Sequence, residues 1–344
     1  MIDPNALVCL EPGRLQIERR ALPVRGDGDA LVRPLRIGIC GTDYHIYEGT
    51  HPFLKYPRVM GHELAVEVVE APPHLDLNVG DTCVVNPYLS CGYCIACRAG
   101  KPNCCVNISV LGVHRDGGMA DLLVLPAKNL IRGDGLTADQ CAIVEFLSIG
   151  AHAVRRGGVS AADRVLVVGA GPIGIGVALF AGLTGARVGI LDRERERAET
   201  ARRLTGTEII PAEGNLAAAV QSFTNGEGFE VVFDATGNSK AMEAGFDHVA
   251  HGGRYVLVSV VKEAITFRDP DLHRKEMSLF GSRNATVADF KQVMAAIRER
   301  KIDADALITH RTTLADAVVD IPRWATQKVG LIKAMIEADT DRLG

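Results

Sequence analysis

The sequence predicts an α/β protein built from a barrel-like, all-β part and a doubly wound parallel sheet. Three observations predict it. The chain has 344 residues, and domains usually run about 100–200 residues, so two domains are expected. Residues 1–150 carry short β-branched runs separated by Gly and Pro, the texture of regularly spaced strands. From about residue 150 onward, apolar strands alternate with helical stretches, which implies βαβ units and a parallel sheet.

In the first part, Ala30–Ile39, Glu63–Glu70 and Asp121–Leu125 read as strands. The second part opens on the apolar strand Arg164–Gly169, followed by a glycine turn and a helix over roughly Pro172–Thr184. Strand Arg187–Leu191 ends in Asp192, and a charged helix, Arg193–Leu204, comes next. Val231–Phe233 and Arg254–Val260 read as further strands. The tail holds a helix at Val287–Arg300 and a late strand near Val329–Ile336. There is no internal repeat, low-complexity tract or long linker.

Composition narrows the function. Hydrophobic residues make up 47% and charged residues 23%, as in an ordinary globular protein. The net charge of −4 gives no basic footprint for nucleic acid and no polybasic membrane anchor. No stretch has the length of a membrane-spanning helix, and the first twenty residues lack a signal-peptide core. A cytoplasmic location is expected. Nine cysteines in such a chain read as thiols or metal ligands rather than disulfides.

Cys91, Cys94, Cys97 and Cys105 fall within fifteen residues. Zinc takes four thiolates tetrahedrally, and cysteines at two-residue gaps converge on one ion. A closed four-thiolate site has no open position, so its ion should be structural. Cys104 is an equally good fourth ligand on spacing alone. Cys9, Cys83 and Cys141 read as small buried hydrophobes.

A second constellation sits in Gly38–His45 and Gly61–Glu63. Cys40 and His62 suit a catalytic zinc, which needs three protein ligands and one open position. Glu63 and Glu145 are the candidate carboxylates. Glu145 lies in an otherwise apolar stretch, where a lone charge is costly without a partner.

The segment Val165–Gly174 is GxGxxG directly after a strand and opening a helix. Gly169 makes the turn, Gly171 lets a pyrophosphate approach, and Gly174 lets helix and sheet pack closely. Asp192 falls about 20 residues on, where a carboxylate binds both ribose hydroxyls. It would repel a 2′-phosphate, so NAD is expected over NADP. Arg193 beside it pulls the other way.

Together these segments resemble the zinc-containing medium-chain alcohol dehydrogenases, in the branch of sorbitol and threonine dehydrogenases. The resemblance is carried by GICGTDYH (38–45), GHE (61–63), the four-cysteine run, GVHRDGGMAD (112–121), EFLSIGAHAVRR (145–156), VLVVGAGPIG (165–174), DATG (234–237) and GSRN (281–284). It implies a Rossmann NAD-binding domain, 151–283, inserted in a GroES-like β-barrel catalytic domain, 1–150 and 284–344. It implies two zinc ions per subunit, one catalytic and one structural, and selects Cys105 over Cys104. Cys40, His62 and Glu145 would sit at the catalytic zinc, with Glu63 a close ligand or supporting carboxylate. Asp43 would hydrogen-bond His62. Thr42 would take the alcohol proton and His45 would pass it to solvent. Gly169, Gly171, Pro172, Ile173 and Gly174 would hold the pyrophosphate, Asp192 the ribose, and Arg283 would touch NAD. A homodimer or homotetramer is implied, joined through a sheet edge for which Arg254–Val260 is the candidate.

The chain departs from the family pattern at Phe146, where Pro is usual, at Asp121, where Glu is common, and at Val258–Val261, where a glycine-bearing loop is usual. The expected reaction is oxidation of a secondary alcohol, with a polyol, sugar or sugar acid as substrate. Tyr44, Tyr47, His51, Phe53 and Arg115 are candidate pocket residues. An amino alcohol of the threonine type is the alternative, and an inactive regulatory relative a third reading. A zinc-ribbon module for nucleic acid would fit the four cysteines alone, but the acidic charge and the second constellation oppose it.

Overall fold

A computed structural model describes residues 3–51, 54–327 and 330–339. The chain divides into two compact units, Met1–Glu145 with Met294–Gly344, and Phe146–Val293.

The first unit is built on a mixed sheet. Its strands run in the order Leu130–Arg132, Thr82–Val85, Glu63–Glu70, Asp29–Ile39, Lys333–Glu337 and Ile308–Thr313, with Leu123–Pro126 also on Asp29–Ile39. Only the last pair, Ile308–Thr313 with Lys333–Glu337, is parallel. Asp29–Ile39 begins with buried and part-buried residues in alternation, the period of a strand with one face inward. Pro34 has no N–H to donate, and it sits beside a register shift between Pro34 and Arg36. A three-stranded sheet and the ribbon of Tyr88–Leu89 with Ser109–Val110 complete the unit. Val32, Ile37, Leu64, Val66 and Ile336 are wholly buried in its core. Asp121, one of the departures from the family pattern, accepts from the Asn5 amide at 2.7 Å and pins the first strand.

The second unit holds six parallel strands. Their order is Glu208–Ile209, Arg187–Leu191, Arg164–Val168, Phe229–Asp234, Val249–Leu257, Ser278–Gly281. The sheet starts in the middle and winds outward both ways: the chain reaches one edge at Glu208–Ile209 and then crosses back to Phe229–Asp234, so the switch point lies between Arg164–Val168 and Phe229–Asp234, the arrangement that opens a nucleotide crevice. Val165, Leu166 and Val167 are wholly buried, as expected of strands covered on both faces.

One expectation fails here. The strand expected at Arg254–Val260 is Val249–Leu257, and it is paired on both sides. It is therefore no edge. The free edges are Glu208–Ile209 and Ser278–Gly281. The apolar run Tyr255–Val261 outlasts the strand, because Val258 and Ser259 have left the sheet and donate instead to the Asp234 carbonyl. Val329, in the expected late strand, lies outside the described residues, and that strand is Lys333–Glu337.

A buried carboxylate fastens two helices of the second unit. Asp289 takes His152 Nδ1 at 2.9 Å, Arg155 Nε at 2.7 Å and the Thr286 hydroxyl at 2.7 Å. Burial works to raise its pKa, and these donors overcome it, holding Asp289 well below the usual carboxylate range.

Candidate active site and metal centres

The four-cysteine segment is closed at its base by the Tyr88–Leu89/Ser109–Val110 ribbon. A one-turn helix, Ile95–Arg98, and a 3-10 turn, Pro102–Cys104, fold the segment back on itself. The sulfurs of Cys91, Cys94, Cys97 and Cys105 all lie within 4.8 Å of one another. The Cys94–Cys97 and Cys91–Cys105 pairs are 3.5 Å apart and Cys94–Cys105 3.9 Å. Tetrahedral zinc with bonds of about 2.3 Å needs sulfurs about 3.8 Å apart, so the four fit one ion. Cys104 is exposed and outside the group.

The second centre is assembled from separate elements of the first unit. Cys40 is the residue before helix Gly41–Tyr47. His62 immediately precedes the strand Glu63–Glu70, and Glu63 opens it. The donor atoms of Cys40, His62 and Glu63 lie within 4.8 Å of one another. Gly38 makes room for this: a Cβ there would stand 2.2 Å from Glu63 Oε2. Glu145, in the first turn of helix Val144–Gly157, is buried, and its Oε1 accepts from the Tyr88 hydroxyl.

Among the described residues, Asp43 pairs with backbone amides and not with His62 as expected. Its Oδ2 accepts from the Cys40 amide at 2.8 Å and its Oδ1 from the Gly61 amide at 3.3 Å. One carboxylate thus ties the turn before Cys40 to the loop before His62. His62 Nδ1 is buried and has no hydrogen-bond partner among the described residues.

Lys333 was not anticipated. Its Nζ lies 2.6 and 2.7 Å from the two oxygens of Glu63, and both side chains are buried. Burial opposes its charge, but Glu63, Cys40 and Glu145 outweigh that and raise its pKa. Burial raises Glu145 to about 7, Glu63 adds to this, and His62, Tyr88 and Lys333 oppose it. Burial likewise raises Asp43. On His62 burial works against charge, yet Cys40, Asp43 and Glu145 prevail and raise it well above 6.5. Several acidic groups therefore surround one imidazole and one ammonium out of water. A dication offsets that charge, and the thiol–imidazole–carboxylate set is one that zinc accepts.

Thr42 Oγ1 is 3.8 Å from Cys40 Sγ. His45 is exposed, with Nδ1 3.0 Å from Thr50 Oγ1. Tyr44 is buried in the core and Tyr47 packs against it. Arg115 lines a cavity of about 500 Å³ with Arg20, Asp29 and Leu125, which none of Cys40, His62, Glu63 or Glu145 lines. His51 is half-buried, and Phe53 lies outside the described residues.

In the second unit, Gly169 has φ +98° at the end of strand Arg164–Val168. Gly171 caps helix Pro172–Leu183, with Pro172 in the first turn. A Cβ on Gly171 would meet nothing within 4 Å, whereas one on Gly174 would stand 1.8 Å from the Gly169 carbonyl oxygen. The turn is open where a pyrophosphate approaches and closed where helix meets strand. The first amides of the helix have no intrahelical partner and favour an anion. Asp192 Oδ2 accepts from the Ala170 amide at 2.7 Å and Oδ1 from the Glu194 amide at 2.8 Å. Ile173 is half-buried, and Arg193 and Arg283 are exposed.

Among the residues missed, Lys333 left a signal: it is the charge inside the apolar run Leu331–Ile336. Tyr88 left none, since an aromatic in a short strand is ordinary.

Residues 26–134 match the alcohol dehydrogenase GroES-like domain, and residues 172–299 the zinc-binding dehydrogenase domain. The chain is 40% identical to the L-galactonate-5-dehydrogenase of Escherichia coli K12, over 98% of this chain and 99% of that one. It is 32% identical to the L-threonine 3-dehydrogenase of Pyrococcus horikoshii, over 84% and 86%. The structure is similar to that of the alcohol dehydrogenase RspB from E. coli CFT073 in complex with NADH, with a TM-score of 0.91, 29% identity, and coverage of 98% and 100%.

Proposed function

The chain belongs to the zinc-binding alcohol dehydrogenases, and from that premise we propose that it oxidises a secondary alcohol of a sugar acid, polyol or sugar to the carbonyl, with NAD as hydride acceptor. The observation that carries the reading is the convergence of half-buried Cys40 with buried His62 and Glu63, with Glu145 among the groups whose charge His62 feels. Similarity to an L-galactonate dehydrogenase over nearly the whole chain supports a polyhydroxy carboxylate as substrate.

Cys40, His62 and a carboxylate hold the catalytic zinc, and Cys91, Cys94, Cys97 and Cys105 hold the structural one. Zinc supplies Lewis acidity that makes a substrate hydroxyl acidic near neutral pH. Asp43 keeps the Cys40 and His62 backbones in register. The Thr42 hydroxyl would accept the substrate proton at Oγ1 while giving up its own hydroxyl proton toward His45. Exposed His45, held at Nδ1 by Thr50, delivers that proton to solvent from Nε2. In the second unit, Gly169, Gly171, Pro172, Ile173 and Gly174 seat the pyrophosphate. Asp192 accepts from the ribose hydroxyls and disfavours a 2′-phosphate, while Arg193 and Arg283 lie on the exposed surface that meets the dinucleotide. NAD is the preferred cofactor.

The enzyme is cytoplasmic and works as a homodimer or homotetramer. No described helix is long and apolar enough to cross a membrane. The Ser278–Gly281 edge, with Leu279 exposed, is the candidate contact between subunits.

The test is NADH formation across sugar acids, polyols, sugars and threonine. Turnover is expected on a sugar acid. Turnover on threonine alone would replace the substrate class, and turnover on none of them, with one zinc per chain and no NAD binding, would favour a regulatory protein.

A further inference from the structure

We propose that Tyr88 is a positioning residue for Glu145, and that through it the four-cysteine lobe supports a carboxylate of the catalytic centre. The proposal rests on the reading of Glu145 as a carboxylate that meets the catalytic metal.

The Tyr88 hydroxyl donates to Glu145 Oε1, and both side chains are buried. Oε1 is thereby committed to the phenol, which leaves Oε2 for a metal. The phenol is itself held from its backbone. The Tyr88 amide donates to Asn86 Oδ1 at 3.1 Å. Asn129 Nδ2 donates to the Asn86 carbonyl at 2.8 Å and the Tyr88 carbonyl at 3.5 Å, and the Asn86 amide donates to the Asn129 carbonyl at 2.8 Å. Asn86 and Asn129 are buried too.

Tyr88 also belongs to the ribbon that closes the lobe. It pairs with Val110, Leu89 pairs with Ser109, and the Leu111 amide donates to the Pro87 carbonyl at 3.1 Å. Cys91 follows on one strand and Cys105 precedes the other. Drawing the four sulfurs onto one ion closes that loop and fixes the ribbon, so the lobe ion acts on Glu145 through one aromatic ring. Partners of metal-site side chains commonly change metal affinity by about 10–100-fold when removed.

The experiment uses the full chain with both zinc sites loaded. In Tyr88→Phe, one zinc per chain should stay bound and the other should leave for a chelator at least ~10-fold faster than in the wild type. With cobalt in the catalytic site, the d–d bands should shift, while KM for NAD stays unchanged and kcat falls. Unchanged metal release and unchanged bands would overturn the proposal. Glu145→Gln is measured in parallel. If it too leaves the bands unchanged, the reading of Glu145 as a metal carboxylate falls; if it shifts them and Tyr88→Phe does not, only the role of Tyr88 falls. Cys94→Ser, which opens the lobe, should speed release of the catalytic ion by a factor that does not multiply with that of Tyr88→Phe. Independent factors would overturn the link to the lobe. Should Cys94→Ser not fold, wild-type protein stripped only of lobe zinc gives the same comparison.

Discussion

Lys333 and Glu63 form an ion pair with both carboxylate oxygens within 2.7 Å of one ammonium and both side chains out of water. Removing one partner of such a pair leaves a bare buried charge and costs about 3–5 kcal/mol. Lys333→Met should show that loss in metal-free protein and a smaller loss with zinc bound, because the ion then shares the Glu63 charge. Urea unfolding with and without zinc measures it. Equal losses in the two states would mean that Glu63 does not face the ion.

Cys40→Ser and His62→Ala should each lower the bound zinc from two ions to one per chain. Turnover should vanish, while NADH fluorescence titration gives an affinity close to that of the wild type, since the glycine turn belongs to the other unit. Retained activity in either variant would remove that residue from the catalytic centre.

Asp192 carries two loads, ribose recognition and the two backbone amides it already accepts. Asp192→Ala should weaken NAD binding by about tenfold, roughly 1.4 kcal/mol, and raise the NADP-to-NAD ratio of kcat/KM. Asp192→Asn keeps most of the shape and should change the ratio more than the affinity for NAD. An unchanged ratio in both would place cofactor choice elsewhere.

Gly174→Ala inserts a methyl 1.8 Å from the Gly169 carbonyl oxygen. Neither atom belongs to a flexible side chain, so the turn itself must shift. NADH binding should be lost and stability should fall by about 1–3 kcal/mol. Calorimetry checks both.

Asp289 gives a pH dependence. Its folded pKa is depressed, so its contribution is present above the unfolded carboxylate value of about 4 and fades as pH falls toward the folded value. Asp289→Asn should cost about 2–3 kcal/mol at neutral pH, for the lost charged hydrogen bonds. The gap to wild type should narrow steadily below about pH 4. A constant gap down to the acid transition would show that the carboxylate charge does not matter.

Local pattern made much of this legible. The glycine turn, the acidic end of Arg187–Leu191 and the four cysteines are short-range signals, each set by what one turn or one ion demands. The catalytic centre was only half legible. Cys40 and His62 stand in recognisable loops, but Lys333 reaches Glu63 from a strand 270 positions away, and nothing local specifies that pairing. The strand Val249–Leu257 was misplaced because apolar content fades only after Val261, whereas pairing stops at Leu257. The Asp43 bonds were misassigned because a carboxylate beside a histidine and two free amides has several partners of similar worth, and only geometry chooses among them.

The two amides that Asp43 holds have a consequence for the metal the protein carries. Its carboxylate joins the Cys40 turn to the Gly61 loop through protein atoms alone, so this tie between the two ligand-bearing segments does not depend on which divalent ion is bound. Copper and nickel compete strongly with zinc for donors of this kind. Preparations grown in media of different metal content would then differ in composition, and in rate, while sharing one fold.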